Sequence, residues 1–172
     1  GLSMGFRGKG AQPESTDLAA GTGATFAAYK VRQTPGGPWT RTFDPGKRGP
    51  ARPLVTKELF DFTQHADFDI RHYSGPVTYE TTFTLDSLAT ERIYLNLNDV
   101  TAMAKVKVNG AYVGGVWTMP YRVEITDAVK TGENNVEIEV VTTWKNRLIG
   151  DLKLPQSERR TWVAYQPWTA DD

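Results

Sequence analysis

The 172-residue sequence contains no cysteine and only two histidines, His65 and His72. It can therefore form neither a disulfide nor a thiolate metal site, and two imidazoles alone do not make the usual zinc centre. The missing cysteines do not fix a compartment, because exported proteins need not carry them. Net charge is also absent, since 20 basic and 20 acidic residues cancel. No broad basic field is available to attract nucleic acid or an anionic membrane, so neither partner is expected. No run approaches the ~18 apolar residues of a membrane-spanning helix, and membrane insertion is not expected. The opening "GLSMGFRGKG" has no apolar stretch of the kind a secretory signal needs. The expectation is that a signal has been removed or that this is a piece of a longer chain. No Ser-His-Asp order, phosphate-cradling loop, nucleophile elbow or internal repeat is visible.

What is present is strand pattern. A chain of this length buries roughly 70% of its unfolded surface, enough for a core without staples. Residues 1–34 begin with Gly, Ala, Ser and Thr and read as a linker or partly docked arm, leaving 35–172 as the folded domain. Trp39 to Phe43 is a short strand between turn clusters, and 57–69 has room for a helical turn. In "GPVTYETTFTL", Val77, Tyr79, Thr81, Phe83 and Leu85 share one face, the period of two that marks a half-buried strand. "RIYLNLN" and "AKVKV" repeat it. Asn109-Gly110 separates two such runs and signals a type I′ hairpin. "NVEIEVVTTW" is the longest alternating run, with Val136, Ile138, Val140 and Trp144 on the core side and Glu137 and Glu139 in solvent. Many short alternating strands without long helices predict an all-β, antiparallel β-sandwich with one or two helical turns.

Two segments, "YSGPVTYETTFTL" (73–85) and "VKVNGAYVGGVWTMPYRVEITDAVKTGENNVEIEVVTTW" (106–144), resemble the galactose-binding-like jelly-roll domain of family 2 glycoside hydrolases. With "NRLIGD" (146–151) and "LPQSERRTW" (154–162) added, the series is more similar to the C-terminal β-sandwich of bacterial glycoside hydrolases related to the family 106 α-L-rhamnosidases. The similarity runs from Trp39 to Trp162. The "VNG" and "GEN" elements are common to many such sandwiches, whereas "NRLIGD" followed by "LP" is more distinctive. The resemblance implies a closing strand after "PWTADD" and a catalytic domain elsewhere in the parent enzyme, and the expectation is that neither falls within these 172 residues.

The resemblance implies an accessory, carbohydrate-binding role beside the catalytic domain of an exported glycoside hydrolase, extracellular or periplasmic, with no catalytic activity alone. An independent carbohydrate-binding module and a self-sufficient glycosidase are the alternatives. Sugars stack on aromatic rings and are read by planar amide, carboxylate and guanidinium groups. The candidates for sugar or domain contact are therefore Tyr73, Trp117, Tyr121, Arg122, Asn146, Arg147 and Asp151. Trp162 and Trp168 are further aromatics near loops. In "NRLIGD" itself, Leu148 and Ile149 are expected to plug into the sandwich and Gly150 to permit a left-handed bend. Arg147 and Asp151 are expected to pair or to tie down neighbouring loops. Asp127 is read as capping a helical turn, and Asn98-Asp99 as an Asx turn. Sandwiches of this type often carry a structural calcium ion; Asp67 and Asp69 are its candidate ligands, and no other cofactor is implied.

Overall fold

The computed structural model describes residues 5–9, 29–33, 35–88, 92–97 and 100–163. The expected Asx turn at Asn98-Asp99 and Trp168 lie outside them.

Among the described residues, ten strands form two antiparallel sheets. They are β1 (Gly5–Lys9), β2 (Tyr29–Gln33), β3 (Trp39–Phe43), β4 (Leu54–Thr56), β5 (Pro76–Leu85), β6 (Ile93–Asn96), β7 (Met103–Val108), β8 (Ala111–Val116), β9 (Arg122–Glu124) and β10 (Gly132–Val141). One sheet has the order β2-β1-β6-β9 and the other β4-β3-β5-β10-β7-β8. Both β1 and β2 come from residues 1–34, so part of the stretch read as an arm is sheet. Backbone pairing with β6 orders β1 there, a contribution that side-chain composition does not reveal.

The core follows the period of two. Val77, Tyr79, Thr81, Phe83 and Leu85 are all buried, as are Val136, Ile138 and Val140 on β10 and Ala104, Val106 and Val108 on β7. Ile93, Leu95 and Val123 of the smaller sheet, with Ile125 just beyond β9, are buried in the same core. The outward Glu137 and Glu139 pair across the strand with Lys107 at 2.8 Å and Lys105 at 3.3 Å. These are solvent-screened surface pairs that add little to stability.

Asn109 and Gly110 carry positive φ values of 51° and 81°, the left-handed pair that a type I′ hairpin between β7 and β8 requires. The Asn109 amide donates to the Ala128 carbonyl and to Asn134 Oδ1, each at 2.8 Å, and its own oxygen accepts from the Asn135 N–H. Asn134, almost fully buried, accepts from the Lys130 N–H and donates to the Lys130 and Gly132 carbonyls. The "VNG" and "GEN" motifs are thus two halves of one polar knot that fixes the start of β10 against the hairpin.

Three local expectations are corrected. The strand ending the longest run stops at Val141, and Thr142 turns away to bond Gly75 through its hydroxyl. Trp144 consequently leaves the strand parity. It is 55% exposed and stacks near the Lys47 ammonium at 5.2 Å. The segment "KNRLIGDL", where a left-handed bend at Gly150 was expected, is a helix, α2 (Lys145–Leu152). Asp127 sits inside the turn Thr126–Ala128, which has no side-chain cap; the nearby Thr126 hydroxyl instead accepts from the Ile93 N–H. The region 57–69 forms two short turns, Phe62–Gln64 and α1 (Phe68–Arg71), capped by Asp61 and Asp67.

Candidate functional site

The motif "NRLIGD" is positioned by α2, which packs where α1 meets the start of β5. The Arg147 N–H donates to the buried Ser74 hydroxyl at 2.9 Å. The Arg147 side chain is 3% exposed and lies between two carboxylates, with Nε 3.0 Å from Asp151 Oδ1 and Nη1 3.8 Å from Asp69. Its N–H vectors miss the Asp151 oxygen, so the contact is one of charge rather than a directed hydrogen bond. The other carboxylate oxygen of Asp151 accepts from the Arg160 and Thr161 N–H groups at 2.9 and 2.8 Å, and from the Thr161 hydroxyl at 2.6 Å. Burial alone would raise the Asp151 pKa. The Thr161 hydroxyl, the two amides and Arg147 outweigh it and hold the carboxyl below its ordinary value.

Gly150 matters here for closeness and not for a left-handed bend. It is helical, and a Cβ on it would stand 2.5 Å from His72 Cβ and 2.7 Å from Arg147 Nη2. Ile149 is buried and Leu148 half-buried, in line with the anchoring expected of them. The "LPQSERRTW" segment completes the brace. Arg159 donates to the Leu154 and Leu152 carbonyls, Arg160 reaches Gly46, and Arg48 reaches Glu158 from the other side. Arg147 and Asp151 therefore tie neighbouring segments together, and neither side chain is free to read a sugar.

The other sequence candidates scatter. Tyr73 is fully buried, its hydroxyl donating to the Pro76 carbonyl and accepting from the Asp44 N–H. Its ring packs edge-on against Phe43 at 5.0 Å, which makes it a core residue and not a platform. Trp117 and Met119 stand out in solvent between β8 and β9, 72% and 80% exposed. Tyr121 packs against the core, and the Arg122 guanidinium lies 5.3 Å from the Tyr94 ring centroid. Trp162 is 84% exposed beside a shallow hollow that also touches Asp151 and Arg160. The donor set for calcium does not fit. Asp67 Oδ1 is committed to the Asp69 and Ile70 N–H groups, and Asp69 faces Arg147. No cluster of three or more metal-ligating side chains occurs among the described residues.

Asn146 is the sequence candidate that does line a recess. At the end of the sandwich where β5 begins and β10 finishes, a cavity of about 280 Å³ opens among Phe60, Asp61, Tyr79, Thr143, Lys145 and Asn146. Tyr79 is the inward residue of β5, and burial raises its hydroxyl pKa; the Arg41 guanidinium opposes that and Asp61 adds to it. Arg41 is fully buried on the neighbouring β3. It lies 4.2 Å from the Phe60 ring centroid and 5.6 Å from that of Tyr79, and it donates to the Glu58 carbonyl. Sequence reading missed this group because its members come from four separate segments. A phenol and a guanidinium at inward strand positions are the signal that would have pointed there, because each polar tip needs somewhere to go.

Residues 56–160 match the family described as glycosyl hydrolase 2 galactose-binding domain-like. The chain belongs to this family. The domain is 34% identical over 141 residues to a candidate β-glucuronidase of Formosa agariphila, a match covering 67% of the chain and 12% of that protein. Among solved structures, it superposes on a rhamnosidase from Novosphingobium sp. PP1Y with a TM-score of 0.70 at 35% identity, covering 78% of the chain and 13% of the rhamnosidase. A Ruminococcus gnavus β-glucuronidase shares the fold at a TM-score of 0.52 and 24% identity, over 62% of the chain and 20% of that structure. The chain thus spans a small part of each of these relatives. The likeness to both glycoside hydrolase lines, expected from the motifs, is found in these matches.

Proposed function

We propose that the chain is a non-catalytic accessory domain of a glycoside hydrolase, supporting or completing a sugar site on a partner catalytic domain. One observation carries this reading. Each of the two hollows described above holds a single carboxylate among its described residues, Asp61 in one and Asp151 in the other. Glycoside hydrolysis commonly uses two carboxyl groups flanking the bond, roughly 5–10 Å apart. Asp151 is moreover occupied by three hydrogen bonds from residues 160 and 161. The short span of the match within a rhamnosidase and a candidate β-glucuronidase supports the same reading, because most of each relative lies outside the part the chain resembles.

The exposed Trp117 and Met119 favour a second reading, an independent carbohydrate-binding module with a stacking platform on the β8–β9 loop. Turnover of aryl β-glucuronides and aryl α-L-rhamnosides by the chain alone tests the accessory assignment. No release of the aryl group above background is expected. Turnover abolished by a single carboxylate substitution would overturn the assignment.

A further inference from the structure

We propose that the recess at the end of the sandwich is a saccharide subsite of this domain, sized for one pyranose ring. Its volume of about 280 Å³ lies at the lower edge of the roughly 300–1,000 Å³ typical of small-molecule sites, which suits a single ring better than an extended ligand. The wall is mixed in the way a sugar requires. Phe60 and Tyr79 supply aromatic surface, while Asp61, Thr143, Lys145 and Asn146 supply a carboxylate, a hydroxyl, an ammonium and an amide.

Most of these polar groups are unspent. Asp61 uses Oδ1 to cap the turn at Thr63, and Oδ2 bonds none of the described residues. The side chains of Thr143, Lys145 and Asn146 make no hydrogen bond or ion pair with the described residues. Tyr79 is the most telling member. It is only 6% exposed, yet its hydroxyl finds no hydrogen-bond partner among the described residues while it lines the recess. The hydroxyl is not among the fully buried unpaired atoms; it opens into the recess, where a sugar hydroxyl can bond it at the net value of one hydrogen bond, about 1 kcal/mol. Behind this wall, Phe60 rests on the Arg41 guanidinium and stacks on His65 with centroids 5.8 Å apart, contacts that orient its ring.

The inference rests on the recess and not on the accessory role. A chain that bound sugar here and also hydrolysed it would refute the accessory reading alone. The test is a saturation-transfer NMR titration of the chain with methyl β-D-glucopyranoside, methyl β-D-glucuronide and methyl α-L-rhamnopyranoside. At least one probe is expected to bind with a dissociation constant of roughly millimolar order. Tyr79→Phe keeps the ring and removes only the hydroxyl, and Asn146→Ala removes the amide. Each should weaken binding about fivefold, in line with the loss of one hydrogen bond, with an unchanged unfolding temperature confirming the fold. Trp117→Ala should leave affinity within about twofold. Binding of none of the three probes would overturn the proposal. So would binding that disappears in Trp117→Ala and survives both recess variants.

Discussion

At Asp151 one carboxylate holds the 160–161 backbone and balances a buried guanidinium. Removing one partner of such a pair strands the other charge in the interior. Asp151→Ala should therefore cost about 3–5 kcal/mol in urea unfolding, far more than loss of an exposed surface charge. Gly150→Ala is a sharper probe of the same junction. Alanine is worth about 1 kcal/mol more than glycine in a helix, so an open site would be stabilised. Here the added methyl meets the Cβ of His72 at 2.5 Å, and a net loss of about 1–3 kcal/mol is expected from overpacking.

The same two neighbours give an acid response. His72 is buried, and desolvation, then the charges of Lys153, Arg147 and Arg71, lower its pKa from the ordinary 6.5, a backbone bond at Asn146 opposing them. Asp151 is likewise lower in the fold than its ordinary 3.8. A group with a depressed folded pKa contributes stability that is complete above its unfolded pKa and declines as pH falls through the folded value. Stability should thus fall in two windows, the first beginning below pH 6.5 and the second below 3.8. His72→Gln should remove only the first, as read from urea midpoints against pH.

At the scale of elements, the asparagine knot and α2 show different degrees of legibility. Asn109-Gly110 was readable because a hairpin turn with two positive φ angles leaves few residue choices. The partnership of Asn109 with Asn134 was not, because the two are 25 residues apart and only sheet pairing brings them together. Asn134→Ala removes the partner of the Lys130 N–H and of two carbonyls, in hydrogen bonds that are partly buried. It should cost about 2–3 kcal/mol by thermal or urea unfolding, with little change at the distant recess. The helix α2 was not foreseen, its Gly150 having been read as the site of a left-handed bend. Eight residues with a central glycine carry a weak helical signal, and what stabilises α2 is tertiary: Ser74 below it, Asp69 beside it and the 160–161 backbone above. Trp144 went wrong for a related reason. Parity holds only as long as the strand does, and a hydroxyl at Thr142 that bonds Gly75 ends it three residues after Glu139.

At the scale of the whole molecule, the two-sheet architecture was legible because alternation writes burial directly into the strands. The site was less so. Aromatics and charges in a distinctive motif invite a functional reading, yet "NRLIGD" and "LPQSERRTW" are spent on joining α1, α2 and the 160–161 segment to the sandwich. Polar groups left unspent line the recess at one end of the sheets, where Asn146 alone belongs to "NRLIGD" and Asp61, Tyr79 and Thr143 come from outside it. The most direct test of this division of labour is a residue-resolved amide spectrum of the isotope-labelled chain titrated with the same three methyl glycosides. The expected result is that shifts concentrate at Asp61, Tyr79, Thr143 and Asn146 while Trp117, Arg147 and Asp151 stay unmoved. Shifts centred on the Trp117 loop, or on the Arg147–Asp151 brace with the recess silent, would contradict it.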